Sequence, residues 1–263
     1  MNSATLPASI SPHEFSADAL KVHVYADEPA LALAAANIAA THLQTTLARQ
    51  GSAAMILASG NSQLRFLEKL FLCPDLDWSA VTCFHMDEYL GVTADHPASF
   101  RRYMREHVER RVKPKAFHYL AGDALEPLSE CERYTGLLRA QPIDFCCLGL
   151  GENGHLAFND PDVADFADPH GVKIVKLDLR CRQQQVNQGH FAGLENVPQY
   201  ALTLTIPTLL SARKVLCLAP EKRKAVPVRD LLQGPVATKG PASILRRQAH
   251  ATLLLDEASA SLL

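Results

Sequence analysis

Apolar residues in this chain fall into two alternating rhythms. Lys21-Val22-His23-Val24-Tyr25 alternates as a short strand, and the Ala-rich stretch from Ala30 to Arg49, opened by Asp27-Glu28-Pro29 and closed at Gly51, reads as a helix. Ala53 to Ala58 is a continuous apolar run suited to a buried strand, and apolar residues at helical spacing follow from Gln63 to Leu70. The rhythm repeats with a strand over Ala80 to Phe84, a helix from Ser99 to about Arg111, a helix from Leu128 to Ala140 and a strand from Ile143 to Leu148. Residues 159–171 carry four aspartates and two prolines with neither periodicity, which predicts a loop or lid. Beyond it the pattern predicts elements at Val172 to Leu177, Arg180 to Gln188, Tyr200 to Ile206, Lys214 to Leu218, Arg223 to Leu232 and Thr252 to Leu255.

Strands alternating with helices at this spacing imply βαβ units. The expected fold is therefore a single-domain α/β protein, a Rossmann-like open and mostly parallel sheet with helices on both faces and a lid segment at about 160–188. Residues 1–20 are expected to form a leader and 21–263 the catalytic domain. In such a sheet ligands sit beyond the carboxyl ends of the strands, and three polar loops fall there.

Composition narrows the partners. The 263 residues carry 26 Lys+Arg against 28 Asp+Glu, a formal net charge of −2. That balance excludes the basic excess of a nucleic-acid binder and leaves any anion site to local geometry. No apolar run is long enough to span a membrane, and Met1 to Ser16 lacks the features of a secretion signal. The seven cysteines include no C-x-x-C, so neither a disulfide framework nor a structural metal is expected, and the chain reads as cytoplasmic.

The first loop, Ser59-Gly60-Asn61-Ser62-Gln63, joins a buried strand to a helix. A glycine there lets backbone approach an anion, and the helix N-terminus supplies free N–H donors. The same residues also read as a capped helix without a ligand. The second loop is His85-Met86-Asp87-Glu88-Tyr89, where burial would make a carboxylate a stronger base. On an extended chain His85 and Asp87 point one way and Glu88 the other, so the two acids have different tasks. A hydrogen-bonded acidic loop and a weak His/Asp metal pair are the alternatives. The third, Gly149-Leu150-Gly151-Glu152-Asn153-Gly154-His155, has the glycine spacing of a dinucleotide site, but the prolines and aspartates after it break the helix such a site needs. Close backbone approach to a small ligand, with His155 aimed at it and Asp160 near enough to orient it, is the better reading.

Together, Phe84-His85-Met86-Asp87-Glu88-Tyr89-Leu90-Gly91 and the run from Gly149 through His155-Leu156-Ala157-Phe158-Asn159-Asp160-Pro161 resemble the glucosamine-6-phosphate deaminase (isomerase) family. Weaker similarity covers Ile56 to Ser62, Val197 to Leu210 and Lys222 to Gly234. The resemblance implies a cofactor-free enzyme that converts an aminosugar phosphate and water to a ketose phosphate and ammonia. It implies Asp87 as the base moving a proton between C2 and C1, and His155 as the group assisting ring opening, with Asn153 and Asp160 orienting it. Ser59, Gly60, Asn61, Ser62, Gln63 and Lys224 would hold the phosphate, with Glu88 and Gly154 completing the substrate-binding set. Asp160 stands where well-known members have Glu, Asn153 replaces Asp in many, and the family's lid arginine has no clear counterpart, Arg180 and Arg182 being the nearest. Related 6-phosphogluconolactonases share the fold but not the Ala-Phe-Asn run, which leaves a lactone hydrolase as the alternative. A sugar-phosphate-binding module without catalysis is the other. The sequence leaves open a homo-oligomer and the choice between Lys222 and Lys224.

Overall fold

The computed structural model describes residues 12–187 and 189–263. Its central sheet takes strands from the whole chain: β1 (His13–Ala17), β2 (Leu20–Tyr25), β3 (Ala53–Leu57), β4 (Val81–His85), β6 (Ala116–His118), β7 (Phe145–Gly149), β10 (Lys214–Ala219) and β11 (Ala251–Asp256). Their spatial order is β1-β2-β11-β10-β7-β3-β4-β6, and every neighbouring pair is parallel except β1 with β2. The expected open, mostly parallel sheet is present.

Burial on both faces explains the near-continuous apolar strands. Ile56, Cys146, Leu148 and Cys217 point into one core, while Met55, Leu57, Cys147 and Leu218 point into the other. Cys146 and Cys147 therefore leave the chain on opposite faces, and all seven cysteines are free thiols. Helix α1 (Glu28–Gln50) lies against the second face through Ala35, Ala36 and Ala39, all wholly buried small residues that permit close approach. The Asp27 carboxylate accepts the Ala30 N–H at 2.8 Å, and Gly51 ends the helix in the left-handed region at φ 75°.

Four findings depart from the sequence reading. Residues 1–11 of the expected leader lie outside the described residues, but the rest of it is sheet: His13–Ala17 forms the antiparallel edge. β6 is only three residues long and carries no periodic pattern to betray it. The helix expected near residue 100 runs as α3 (Phe100–Met104), a π-helical turn over Arg105–Glu109, and α4 (Arg110–Val112). Most consequential, 172–177 and 200–206 do not extend the parallel sheet. β8 (Val172–Lys176) and β9 (Tyr200–Leu204) pair antiparallel with each other and with β5 (Asp87–Tyr89), making a separate three-stranded sheet. That sheet has its own apolar cluster, including Tyr89, Phe158, Val175, Cys181 and Phe191.

The remaining helices are α2 (Asn61–Phe71), α5 (Pro127–Arg139), α6 (Leu179–Asn187), α7 (Ile206–Leu210) and α8 (Ala225–Gln233). Among the described residues no helix is long and apolar enough to cross a membrane. From β3 the chain moves outward to β4 and β6, then returns to place β7 on the other side of β3. The crevice between the carboxyl ends of β3 and β7 is thus the topological switch point, where open α/β sheets bind their ligands.

Candidate active site

A cleft open to solvent occupies that switch point. Its floor is the turn after β3. Gly60 sits at φ 124°, a conformation strained for any residue with a Cβ, and precedes α2 without a side-chain cap. The first N–H groups of α2 are thereby left for a ligand, with Ser59, Asn61 and Ser62 around them in the cleft wall. The Tyr103 hydroxyl donates to the Gly60 carbonyl at 3.0 Å and pins the turn from α3. Gln63 does not line the cleft, contrary to expectation. It is 1% exposed, and its Oε1 accepts from the Cys147 thiol beneath the loop.

Opposite the nest, the short helical turn Lys222–Lys224 after β10 delivers a cation. Lys224 lines the cleft and Lys222 does not. Burial and the neighbouring Arg223 hold the Lys224 ammonium down at about 8. Arg223 also reaches the cleft while pairing with Glu221 at 2.8 Å and Glu152 at 3.3 Å. Arg180 and Arg182, the two candidates for the lid arginine, do not line the cleft; Arg182 is spent on the Leu194 and Val197 carbonyls at 2.6 and 2.9 Å.

The acid pair divides as the alternation argument requires. At Met86 the chain leaves the large sheet and enters the small one, where Asp87 pairs in register with Thr203 and turns its carboxyl into the cleft. Burial, and then the negative charge of Glu88, raise Asp87 to about 8, with no donated hydrogen bond to offset them. Glu88 is wholly buried and does not reach the cleft, so its expected place among substrate-binding residues is corrected. It accepts from the backbone N–H groups of Tyr89, Phe100 and Arg101 and from the Ser99 hydroxyl, at 2.7–3.2 Å, and lies 3.4 Å from Arg101 Nε. Glu88 thus ties the strand carrying Asp87 to the N-terminus of α3. His85 also misses the cleft. Its buried Nε2 accepts the Leu120 N–H at 2.8 Å, and burial pushes the imidazole down to about 3, so the ring is a neutral core group and the His85/Asp87 metal pair does not form.

The glycine-rich loop after β7 places the imidazole. A Cβ on Gly151 would overlap the His155 ring, so this glycine is required for the close stacking of ring on backbone. Gly154, at φ 82°, makes the turn and faces away from the cleft, correcting its expected ligand role. His155 lines the cleft, and its Nδ1 lies 2.9 Å from Asp160 Oδ1. The shorter aspartate reaches the imidazole directly. Asn153 binds both partners: its Nδ2 donates to Asp160 Oδ1 at 2.9 Å and its Oδ1 accepts the His155 N–H at 3.1 Å. Burial alone would raise Asp160, but bonds from His155, Asn153 and the Asp178 N–H outweigh it and hold the carboxyl below its ordinary value.

Several cleft residues carried no signal in the sequence. Phe100 supplies apolar wall, and Gln184, Gln185 and His190 face the cavity from α6 and the turn after it. Burial lowers His190, which favours its neutral form. Behind the His155–Asp160 pair stands Cys181, and one donor atom from each of the three lies within 4.8 Å of the others.

The model of a family described as glucosamine-6-phosphate isomerases/6-phosphogluconolactonase matches residues 26–254. The chain is 38% identical over 229 residues to a glucosamine-6-phosphate deaminase of Exiguobacterium sibiricum, covering 87% of this chain and 88% of that one. It is 32% identical over 215 residues to a glucosamine-6-phosphate deaminase of Lactobacillus delbrueckii subsp. bulgaricus, covering 81% and 89%. The solved structure of a monomeric glucosamine-6-phosphate deaminase superposes with a TM-score of 0.84 at 30% identity, over 92% of this chain and 99% of that one. A 6-phosphogluconolactonase from Shewanella baltica shares the fold alone, with a TM-score of 0.73 at 19% identity, covering 89% and 97%.

Proposed function

The chain belongs to the glucosamine-6-phosphate isomerase/6-phosphogluconolactonase family, and we propose that within it this protein is the deaminase, converting glucosamine 6-phosphate and water to fructose 6-phosphate and ammonia. The observation that carries this reading is a single cleft in which an unpartnered carboxyl raised to about 8 and a carboxylate-oriented imidazole flank an anion nest. An aldose-to-ketose shift on a phosphorylated sugar needs those three groups.

The phosphate docks on the N–H groups of α2 and the Ser59 and Ser62 hydroxyls, with Lys224 as its counter-charge. His155, fixed by Asp160 and Asn153, carries the proton between the ring oxygen and the C1 hydroxyl as the sugar opens. Asp87 then takes the C2 proton and returns it at C1, leaving an imine carbon at C2 that water attacks as ammonia departs. A buried carboxylate without hydrogen-bond donors suits this step, because nothing but solvent exclusion and Glu88 sets its basicity. Glu88 and Gln63 position the base and the nest without touching substrate. Lactone hydrolysis has no need of a base at C2, so a carboxylate at Asp87 supports the deaminase over its hydrolase cousins. The seven free thiols suit a reducing, cytoplasmic setting.

Purified protein given glucosamine 6-phosphate should release ammonia and fructose 6-phosphate in equal amounts. Turnover of 6-phosphogluconolactone with none of the aminosugar would reverse the assignment, and tight binding of the aminosugar without turnover would reduce the protein to a sensor.

A further inference from the structure

The proposed reaction uses His155 and Asp160 but leaves unused the thiol beside them. Cys181, in the first turn of α6, is 1% exposed, and does not line the cleft. Its Sγ, a ring nitrogen of His155 and a carboxylate oxygen of Asp160 all lie within 4.8 Å of one another. We propose that these three residues form a binding site for a thiophilic divalent cation of the zinc class, and that its occupancy switches the enzyme off.

The donor set selects the metal. One imidazole nitrogen, one thiolate and one carboxylate match zinc or cadmium, whereas magnesium and calcium favour all-oxygen shells. Bonds of about 2.0–2.3 Å in a tetrahedral shell put ligand atoms roughly 3.3–3.8 Å apart. Separations up to 4.8 Å therefore close with side-chain movements of about 1 Å. The outer shell is already built, because Asn153 Nδ2 and the Asp178 N–H hold the Asp160 carboxylate at 2.9 and 3.2 Å. Asp178 adds negative charge beside the thiol, which attracts a dication.

Binding releases the thiol proton to solvent, and the imidazole coordinates through Nδ1 while its remaining proton sits on Nε2. The metal carries two positive charges against one thiolate and one carboxylate, so the filled site is neutral. Coordination takes from His155 the Nδ1 contact by which Asp160 orients it. Loss of turnover then follows, and this last step alone rests on the reading of His155 as a catalytic group.

The test uses the full chain in a Cys73→Ser background, since Cys73 is the one thiol that is not buried. Titration with Cd²⁺ should produce a thiolate-to-cadmium charge-transfer band that saturates at one equivalent, and Zn²⁺ should displace it. Cys181→Ser should abolish the band, keep metal-free turnover and resist zinc inhibition at least ~10-fold better; Cys181→Ala serves if serine is not tolerated. Asn153→Ala, which removes an outer-shell partner of Asp160, should weaken cadmium binding ~10- to 100-fold. A missing band, or one of equal amplitude without Cys181, overturns the site. A one-equivalent band that leaves turnover untouched at saturating zinc supports the metal site and refutes the role given to His155.

Discussion

Replacing Asp87 by Asn should make the protein more stable in base while nearly abolishing its activity. Asp87 is 7% exposed and raised from an ordinary 3.8 to about 8 by burial and Glu88. Between those two values the folded chain holds a proton that the unfolded chain has lost. Stability from this group is therefore complete below 3.8, falls as pH rises, and levels off above about 8. At ~1.4 kcal/mol for each pH unit, the full penalty is on the order of 6 kcal/mol. Relaxation around the carboxylate and an imperfectly bonded amide reduce the realised gain to roughly 2–4 kcal/mol at pH 9. For a chain of this size that is a rise in Tm of about 5–10 °C. Urea denaturation of both proteins from pH 4.5 to 9 measures it directly. The difference should be small at the acid end and grow towards pH 8, while kcat falls by ~10³. A difference that does not change with pH, or a wild type more stable at pH 9, would refute the claim that Asp87 is held as a strained, solvent-excluded base.

Four further outcomes follow from the same geometry. Lys224→Met should raise KM by ~10- to 100-fold with a smaller change in kcat, read by steady-state kinetics, because a buried counter-charge to the phosphate is removed from ground and transition state alike. Asp160→Asn should lower kcat by ~10- to 100-fold with KM little changed, since the imidazole keeps its place in the cleft but loses the carboxylate that orients it. Gly151→Ala forces the His155 ring off the backbone on which it rests and should cost ~10²-fold in kcat; wild-type turnover would show that ring placement is not limiting. Because the Glu88 charge helps raise Asp87, Glu88→Gln should shift the acid limb of the kcat/KM profile to lower pH, and an unmoved limb would remove Glu88 from the control of the base.

The chain's alternation of buried strands and helices was enough to read the large sheet, because its central strands are apolar on both faces and its first helix is bounded by recognisable residues, Asp27 and Gly51. The cleft was legible for the reason that three of its loops follow such strands directly. The small sheet was not, because antiparallel pairing of Asp87–Tyr89 with Tyr200–Leu204 joins segments over a hundred residues apart, and strand patterns alone do not state which sheet a strand joins. Alternation correctly put the carboxyls of Asp87 and Glu88 on different sides, but His85 lies before the bend at Met86, so counting sides across it fails. Gln63 and Gly154 sit inside ligand-facing motifs yet serve the loops themselves, a distinction set by three-dimensional packing. His190 and Gln184 belong to a polar stretch that owes its position to the apolar contacts of Phe191 and Cys181 with the small sheet.

The Asp87 carboxyl and the His155 imidazole are carried by different sheets: Asp87 by the small one, His155 by a loop of the large one. The gap between them is thus set like the jaws of a caliper, by how the lesser sheet seats on the greater. Val172, Leu202 and Leu204 of the small sheet pack into the core of the large one, and loosening that seat would part Asp87 from His155 without unpairing a central strand. Warming should therefore silence the enzyme while most of its backbone protection against hydrogen exchange is still intact, and cooling should restore it without any refolding of the central strands.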